Sequence, residues 1–399
     1  MSAEGSDSRF PLFRLLVITG AIFVAVSSEF LPTGLLPDIA AELHVSESRV
    51  GLLVTIFALT VVLSTAPLTA MTHRFPRKWL MVTMLGVFAV ANFLAAVSPS
   101  YEFLAGARVL GGLAHGLFWS VTGPYATRIV ARRQLSRALA VTNAGGTAAF
   151  ILGVPVGTAL GHALGWRLAF AVMGGVVLVF LVLVVLALPH VSHLVTLKTG
   201  EIPLPLRRDR TIPAVVIVCV TILMLAIGQN AFYTYIVPWA TQVGGIPPAD
   251  ISGLLFGYGA AGALGLLIAG LLGDRFPRGA LVILALGIAV AVAVLGVFGE
   301  HSPLVVVIGM VAWSVAFGGI PSLLHARMMH SASPRIRDTA AAWTTISFNV
   351  AIGGGALLGG TLLDRFGIHA LPWAEVVLVL AGVLFVVISD RRRAPIRLR

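Results

Sequence analysis

Residues 15–37 read LLVITGAIFVAVSSEFLPTGLLP, an apolar segment that is long enough to cross a bilayer and that carries one acid, Glu29. An ionised acid in hydrocarbon costs at least about 2.5 kcal/mol, so such residues usually face a protein interior or a water-filled cavity. Pro32 and Gly34 loosen the helix just beyond Glu29. The pattern predicts that Glu29 takes up and releases a proton within the membrane. The alternative is that Glu29 reaches the headgroups and only anchors the helix.

The composition excludes a soluble globular domain. Hydrophobic residues make up 58% of the chain, charged residues make up 11%, and the mean hydropathy is +0.98. In soluble domains about a quarter of the residues are charged. The net charge of +11 lies in short segments between apolar runs, which does not favour nucleic-acid binding. The sequence therefore predicts a polytopic protein of the lipid bilayer.

Motifs typical of enzymes are missing from the sequence. It contains no HExxH motif, no Walker loop and no GxSxG motif, and its histidines are scattered. Cys219 is the only cysteine, which leaves no disulfide, thiolate metal cluster or redox motif. We expect no enzymatic activity, no cofactor and no bound metal.

Twelve segments of the chain meet the length of about 20 apolar residues that a membrane span needs. We therefore predict an all-α membrane protein with twelve transmembrane helices. The first segment also resembles a signal peptide, but its apolar run continues past the weak cleavage site, which favours a mature helix. The predicted spans are residues 14–37, 49–72, 79–98, 101–127, 135–162, 166–189, 212–242, 250–273, 279–299, 303–328, 338–363 and 369–390.

Charge in the connecting segments predicts the orientation. Only four of the 27 lysines and arginines lie away from one side: Arg108 inside a span, and Arg49, Arg167 and Arg365 on the opposite side. Because positive residues collect on the cytoplasmic side, both termini are expected in the cytoplasm. We predict a multi-pass protein of the cell inner membrane that acts as a monomer.

An internal repeat and a long polar segment predict two domains. Residues 73–77 read HRFPR, and residues 274–278 read DRFPR at the equivalent position of the second set of six spans. Residues 190–211 contain two prolines and a basic cluster, which is typical of a linker. We predict an amino-terminal six-helix bundle at 1–189, a cytoplasmic linker at 190–211 and a carboxy-terminal six-helix bundle at 212–399. A central cavity is expected between the bundles.

Four motifs carry a resemblance to a known family. Residues 270–278, GLLGDRFPR, resemble the signature loop of the major facilitator superfamily, with Pro277 replacing a usual glycine. Residues 108–112, RVLGG, are similar to the arginine motif of its fourth helix, and residues 153–157, GVPVG, to the motif of its antiporters. Residues 28–38 resemble the first helix of bacterial drug and sugar exporters.

Within the superfamily the chain resembles the drug:proton antiporters with twelve spans and is nearest to bacterial sugar efflux transporters. Residues 114–119, AHGLFW, and residues 233–235, YTY, also have counterparts there. The resemblance covers essentially the whole chain. It implies the major facilitator fold and transport by alternating access.

The fourth span carries three polar or aromatic residues on one face. Arg108, His115 and Trp119 are separated by seven and four positions. A guanidinium within the membrane needs a counter-charge or a hydrated cavity, so we expect Arg108 to approach Glu29 and to tune its proton affinity. Alternatively, Arg108 extends to the membrane surface. His115 is either a second proton site or a packing residue, and Trp119 either lines the cavity or fills the core.

The second set of spans supplies polar and aromatic side chains, and we expect no buried charged group there. Such side chains favour a polar neutral solute because sugars need hydrogen-bonding groups flanked by flat rings. Interhelical hydrogen bonding is the alternative role for each amide and hydroxyl, including Thr345. The predicted solute-binding residues are Phe30, Thr33, Trp119, Asn143, Gln229, Asn230, Tyr233, Thr234, Trp343 and Asn349.

Charged residues near the loops of the repeat are predicted to form gate ion pairs that close the cytoplasmic side. Exposed ion pairs contribute only about 0–1 kcal/mol each, so solvated loops without such pairs are the alternative. The predicted pairs join His73 and Arg74 to Asp338, and Asp274 to Arg137 or Arg133.

Together these features predict proton-coupled efflux of a small polar solute, a sugar or sugar analogue, with protons and the solute as its small partners. A multidrug or chloramphenicol-type drug:proton antiporter is the second reading. A membrane receptor or scaffold that has lost coupling is disfavoured because no segment between the spans is long enough for a signalling domain.

Overall fold

The computed structural model describes residues 10–72, 74–131, 134–189, 209–276 and 279–393, without the side chains of Ser136, Asp338, Arg392 and Arg393. Regular structure in these ranges is helical. The helices are α1 Leu12–Gly34, α2 Leu36–Leu43, α3 Glu47–Met71, α4 Arg77–Ala96, α5 Tyr101–Arg128, α6 Leu135–Ala148, α7 Val154–Leu164, α8 Trp166–Ala187, α9 Ile212–Tyr233, α10 Ile236–Gln242, α11 Ile251–Arg275, α12 Ala280–Phe298, α13 Pro303–Gly318, α14 Ile320–Ser331, α15 Arg337–Phe366 and α16 Ala370–Arg393. A π-helical turn, Ala149–Gly153, joins α6 to α7.

Eleven helical segments in the described residues are long and apolar enough to cross a membrane. Several of them combine two consecutive helices, as α13 and α14 do in Pro303–Ser331. The helix α5 is not among the eleven, although its 28 residues exceed the thickness of the hydrocarbon core. It carries the buried Arg108. The chain is thus a multi-pass membrane protein.

Three of the predicted spans are interrupted, and a proline follows each interruption. The chain breaks between α1 and α2 at Leu35, between α9 and α10 at Tyr235, and between α13 and α14 at Gly319. Pro37, Pro238 and Pro321 lie in the first turns of the helices that follow. A proline lacks the amide hydrogen that would bond to the carbonyl four residues earlier, so the helix ends and a new one begins.

Two seams join residues 10–189 to residues 209–393. In the first, α3 packs on α15, and the Thr55 hydroxyl donates to the Gly353 carbonyl oxygen at 2.9 Å. In the second, α11 packs on α7 and on the π-helical turn. Gly259 lies directly against the backbone of Phe150 and Ile151 there. Close approach of two backbones without side chains between them is typical of helix packing in membranes.

The side of the molecule that carries α2 and α10, here called the α10 side, is closed. Gln242, at the end of α10, donates from Nε2 to Glu47 Oε1 at the start of α3, over 2.9 Å. Tyr235 donates its hydroxyl hydrogen to the Ala356 carbonyl oxygen at 2.9 Å, and its hydroxyl lies against Gly51. These contacts bring α3, α10 and α15 together at this end.

The opposite side, where α1 begins and α16 ends, is here called the termini side. Asp209 accepts hydrogen bonds there from the Thr211 amide at 2.8 Å and from the Ser333 hydroxyl at 2.6 Å. Arg327 pairs with Asp390 at the end of α16. These contacts fix the ends of α9, α14 and α16 relative to one another.

The seam at Gly259 gives a test of packing. Gly259→Ala places a methyl group against the Phe150 backbone, whereas Gly257→Ala, two residues away on the same helix, meets no atom within 4 Å. We expect Gly259→Ala to lower the free energy of unfolding by about 1–3 kcal/mol, as overpacking does. Gly257→Ala should be neutral or stabilising, because alanine favours a helix by about 1 kcal/mol over glycine. Thermal unfolding in detergent measures both, and equal midpoints for the two variants would contradict the seam.

Candidate functional site

Glu29 lies in a buried polar site between α1 and α5. The residues Glu29, Arg108 and His115 are 4%, 4% and 3% exposed. Glu29 Oε2 is 3.4 Å from His115 Nε2. Arg108, His115 and Trp119 lie on one face of α5, as their spacing predicts. Arg108 and His115 contact Glu29, and Trp119 contacts His115.

Arg108 contacts the backbone of α1. One guanidinium nitrogen donates to the Ser28 carbonyl oxygen at 2.9 Å, and the other donates to the Glu29 carbonyl oxygen at 2.7 Å. The Ser28 carbonyl is available because its helical partner would be residue 32, and Pro32 has no amide hydrogen. The guanidinium also lies 4.3 Å from the centre of the Phe57 ring. Arg108 thus approaches Glu29 through two main-chain oxygens, and Pro32 has freed one of them, that of Ser28.

His115 is held by an indole and two phenyl rings. Trp119 Nε1 donates to His115 Nε2 at 2.7 Å. Phe57 and Phe88 meet the imidazole edge-on, with ring centres 5.2 and 5.9 Å away. An indole nitrogen only donates, so Nε2 is an acceptor here and the imidazole hydrogen is assigned to Nδ1. A carboxylate next to this nitrogen would be repelled, whereas a protonated Glu29 would not.

Asn92 completes the polar site and is absent from the sequence-based expectations. Its Oδ1 accepts a hydrogen bond from the Ser28 hydroxyl at 3.0 Å, and its Nδ2 donates to the Phe88 carbonyl oxygen at 2.8 Å. Asn92 is 2% exposed and lies on α4. A lone amide inside an apolar span was the available signal, because such groups need partners in hydrocarbon.

A cluster of aromatic rings lies beside this site and joins helices from both halves of the chain. The Phe30 ring centre is 4.8 Å from that of Phe150 and 6.5 Å from that of Tyr233. Tyr233 stacks on Tyr258 at 5.1 Å, and Trp313 meets Tyr258 edge-on at 5.2 Å. Phe30 and Tyr233 were expected to bind solute, whereas the other three rings were not anticipated, because only the fold brings them together.

Polar atoms continue from the cluster into the carboxy-terminal helices. Gln229 donates from Nε2 to the Tyr258 hydroxyl at 2.8 Å. Trp313 Nε1 lies 2.9 Å from Gln229 Oε1 and 2.8 Å from Glu375 Oε1. Glu375 is 0% exposed, so the expectation of no buried charge-bearing group in the second half is wrong. Its position only five residues into α16 made it resemble a helix-end acid in the sequence.

Three other predicted solute-binding residues lie at helix contacts or breaks. Asn230 donates from Nδ2 to the Ala226 carbonyl oxygen at 2.8 Å, and its Cβ lies where α9 meets Gly355 of α15. Thr33 and Thr234 are each 2% exposed. Thr33 lies just before the end of α1, and Thr234 lies just after the end of α9. Asn230 therefore has the geometry of an interhelical packing residue.

The remaining predicted solute-binding residues lie on α6 and α15. Asn349 donates from Nδ2 to the Thr345 carbonyl oxygen at 3.0 Å, while its Oδ1 is buried without a partner in the described chain. Trp343 packs against the core from α15. Asn143 is exposed on α6, two helical turns before Phe150.

The structure describes the side chains of three predicted gate residues. Arg137 is exposed and lies 4.3 Å from the Phe10 ring centre, Asp274 is exposed in the last turn of α11, and Arg74 is exposed between α3 and α4. Among the described side chains, Asp274 and Arg137 form no ion pair. The predicted partners His73, Arg133 and the side chain of Asp338 fall outside the described part of the chain.

Comparison with known proteins places these features in a family. The family model described as Major Facilitator Superfamily matches residues 18–245 and 218–398. A probable sugar efflux transporter of Mannheimia succiniciproducens is 29% identical over 96% of this chain and 94% of its own length. Another, from Helicobacter pylori strain J99, is 28% identical over 92% of this chain and 93% of its own length.

Solved structures share the fold at lower identity. A D-xylose-proton symporter gives a TM-score of 0.77 at 16% identity, covering 94% of this chain and 97% of the symporter. A bacterial homologue of the human lysosomal transporter Spinster, in an inward-facing and occupied conformation, gives 0.75 at 14% identity over 94% and 96% of the two chains. With a family model that spans nearly its whole length, the chain belongs to the Major Facilitator Superfamily.

Proposed function

We propose that this protein exports a sugar or sugar analogue across the bacterial inner membrane in exchange for protons. The two relatives described above, which are probable sugar efflux transporters, support the solute class and the direction. The observation that carries the proposal is the adjacency of two sites in α1. Glu29 belongs to the buried polar site, and the next residue, Phe30, belongs to the aromatic cluster that faces the other half of the chain.

We also propose the architecture in which this exchange takes place. The eleven apolar helical segments together with α5 make twelve spans, divided into bundles at 1–189 and 212–399 by the linker at 190–211. The arginine-rich termini side is cytoplasmic by the distribution of positive residues. The protein acts as a monomer in the inner membrane.

Proton exchange is proposed to occur at Glu29, with His115 as its partner. In the present geometry Trp119 donates to the Nε2 lone pair of His115, and a neutral Glu29 beside that nitrogen avoids the repulsion that a carboxylate would meet. Loss of the proton leaves a carboxylate that must find a new donor. Solute bound against Phe30 supplies hydroxyl donors at that position, which favours release of the proton when solute arrives.

Alternating access links these events to opposite sides of the membrane. The described conformation is closed on the α10 side, so its cavity is proposed to open to the cytoplasm for solute loading. Closure of the cytoplasmic side then exposes Glu29 and the solute to the outside. A membrane potential of about 100 mV contributes about 2.3 kcal/mol for each charge moved, which makes one proton a useful driving force.

A drug:proton antiporter is the second candidate, and the five rings of the aromatic cluster favour it because they suit a bulky apolar solute as well as a sugar. Binding of arabinose, xylose, a thiogalactoside and chloramphenicol to the purified protein separates the two candidates. Sugar binding without chloramphenicol binding is the expected result. The reverse preference would replace the sugar proposal with the drug proposal.

Replacing Glu29 tests proton coupling. In proteoliposomes, Glu29→Gln should bind sugar but should lose uphill transport driven by an imposed pH gradient, because an amide cannot exchange a proton. Glu102→Gln removes an exposed acid that pairs with Arg49 and serves as the matched control. Uphill transport by Glu29→Gln at the rate of the native protein would refute the role given to Glu29.

Replacing Arg108 tests the contact between α1 and α5. Arg108→Lys keeps the charge but cannot donate to two carbonyl oxygens from a planar fork. Loss of one charge-assisted hydrogen bond costs about 1.5–3 kcal/mol, so coupled transport should fall about 10- to 100-fold. Arg49→Lys, at an exposed ion pair, should retain transport near the native rate. Equal transport by both variants would count against the fork geometry.

The gate ion pair between Asp274 and Arg137 is proposed for the conformation in which the termini side is closed. Asp274→Arg and Arg137→Asp should each slow transport, and the double exchange should restore it, because the pair is then re-formed with reversed polarity. Initial rates of sugar exchange in proteoliposomes measure this. A double variant no faster than the slower single variant would rule out the pairing.

A further inference from the structure

Glu375 is a second buried carboxyl group, and the proton exchange described above does not use it. It lies in α16, where the helix passes against Gly228 of α9. A Cβ atom on Gly228 would come within 3.3 Å of the Glu375 Cα and carbonyl oxygen, so the two backbones are in close contact here. Glu375 is fully buried, and its carboxyl group extends toward Trp313 on α13.

The surroundings of Glu375 favour the uncharged acid. Its Oε1 accepts one hydrogen bond from Trp313, and its Oε2 is buried without a partner in the described chain. None of the ion pairs among the described residues includes Glu375. The Tyr258 hydroxyl is a titratable group close to it. A single neutral donor does not offset the cost of burying a charge, so the group stays protonated.

Glu375 and Gln229 share one donor. The indole N–H of Trp313 lies 2.8 Å from Glu375 Oε1 and 2.9 Å from Gln229 Oε1. Because an indole nitrogen only donates, both facing atoms are oxygens, and this fixes the orientation of the Gln229 amide. The amide nitrogen then donates to the Tyr258 hydroxyl oxygen at 2.8 Å. The hydroxyl hydrogen of Tyr258 is therefore free to point away from Gln229.

The rings of Tyr233 and Tyr258, which lie next to this network, are suited to contact a sugar. Tyr233 and Tyr258 stack at 5.1 Å with an angle of 30° between their planes, and they remain 5% and 6% exposed. Ser314 also donates to the Tyr258 carbonyl oxygen at 2.5 Å, which holds that residue in place. A flat ring beside a directed hydroxyl donor is a common arrangement for a neutral polyol.

We propose that Glu375 is an uncharged positioning residue of the solute site, which acts through Trp313 to orient Gln229 and the Tyr258 hydroxyl toward one hydroxyl group of a bound sugar. This inference rests on the proposed function as a sugar transporter. It assigns different roles to the two buried acids. Glu29 exchanges a proton during transport, whereas Glu375 keeps its proton throughout.

The test compares two replacements of Glu375 in the full-length protein. Glu375→Gln keeps an acceptor for the indole and carries no charge, whereas Glu375→Leu removes the acceptor. Binding of arabinose and of its deoxy analogues is measured by calorimetry, and uphill arabinose transport is measured in proteoliposomes. Glu300→Gln, at an exposed acid of the same half, controls for an acid-to-amide replacement outside the network.

Glu375→Gln is expected to bind arabinose within about twofold of the native protein and to retain uphill transport. Glu375→Leu should bind arabinose about tenfold more weakly, the effect of losing about one buried hydrogen bond, and should discriminate less against one deoxy analogue. Trp313→Phe removes the shared donor and should reproduce both effects. It keeps the test decisive if Glu375→Leu fails to fold, which thermal unfolding reveals.

Two results would overturn the proposal. Loss of uphill transport in Glu375→Gln with native arabinose affinity would show that the ionised acid is needed, as for a proton carrier. Native affinity and native discrimination in folded Glu375→Leu and Trp313→Phe would show that the network does not orient the site. Absence of sugar binding by the native protein would instead refute the proposed function, and with it this inference.

Discussion

The contact on which the site depends is the pair of hydrogen bonds from Arg108 to the carbonyl oxygens of Ser28 and Glu29. Neither partner satisfies its hydrogen-bonding groups alone within the membrane. Pro32 deprives the Ser28 carbonyl of its helical donor, and Arg108 brings a charge into the buried interior. Arg108 and the Ser28 carbonyl oxygen supply each other with a hydrogen-bond partner, and this contact holds α5 against α1.

That approach places the Glu29 carboxyl group beside His115. Trp119, one helical turn further along α5, donates to the same imidazole nitrogen. A Glu29 carboxylate is repelled by that nitrogen, whereas the protonated acid is not. Since Phe30 follows Glu29 directly and contacts the rings of Phe150 and Tyr233, a change at the acid lies next to the surface proposed for solute.

Prolines recur where the helices must bend or expose their backbone. Pro37, Pro238 and Pro321 follow breaks in three spans, and the first two lie near the contacts that close the α10 side. A helix interrupted in this way has carbonyl groups available for other partners and a point about which its halves can reorient. Prolines therefore contribute both to the polar site around Glu29 and to the closed α10 side.

Apolar segment length predicted the helices well, because a span in lipid needs about 20 apolar residues. The set of Glu29, Arg108, His115 and Trp119 was also accessible from sequence, since charge in an apolar segment is conspicuous and helical spacing is regular. Tyr258, Trp313 and Asn92 were not, because their significance depends on neighbouring helices rather than on spacing. Glu375 was overlooked because an acid near a helix end ordinarily reaches water.

We propose that solute and proton compete through Glu29. Counting the protons released when sugar binds to the purified protein, in a weakly buffered solution, tests this proposal. By linkage, a sugar that favours the ionised acid must release a proton on binding. We expect the native protein to release about one proton for each sugar bound, and Glu29→Gln to release none at the same sugar occupancy. Equal proton release by the two proteins would contradict it.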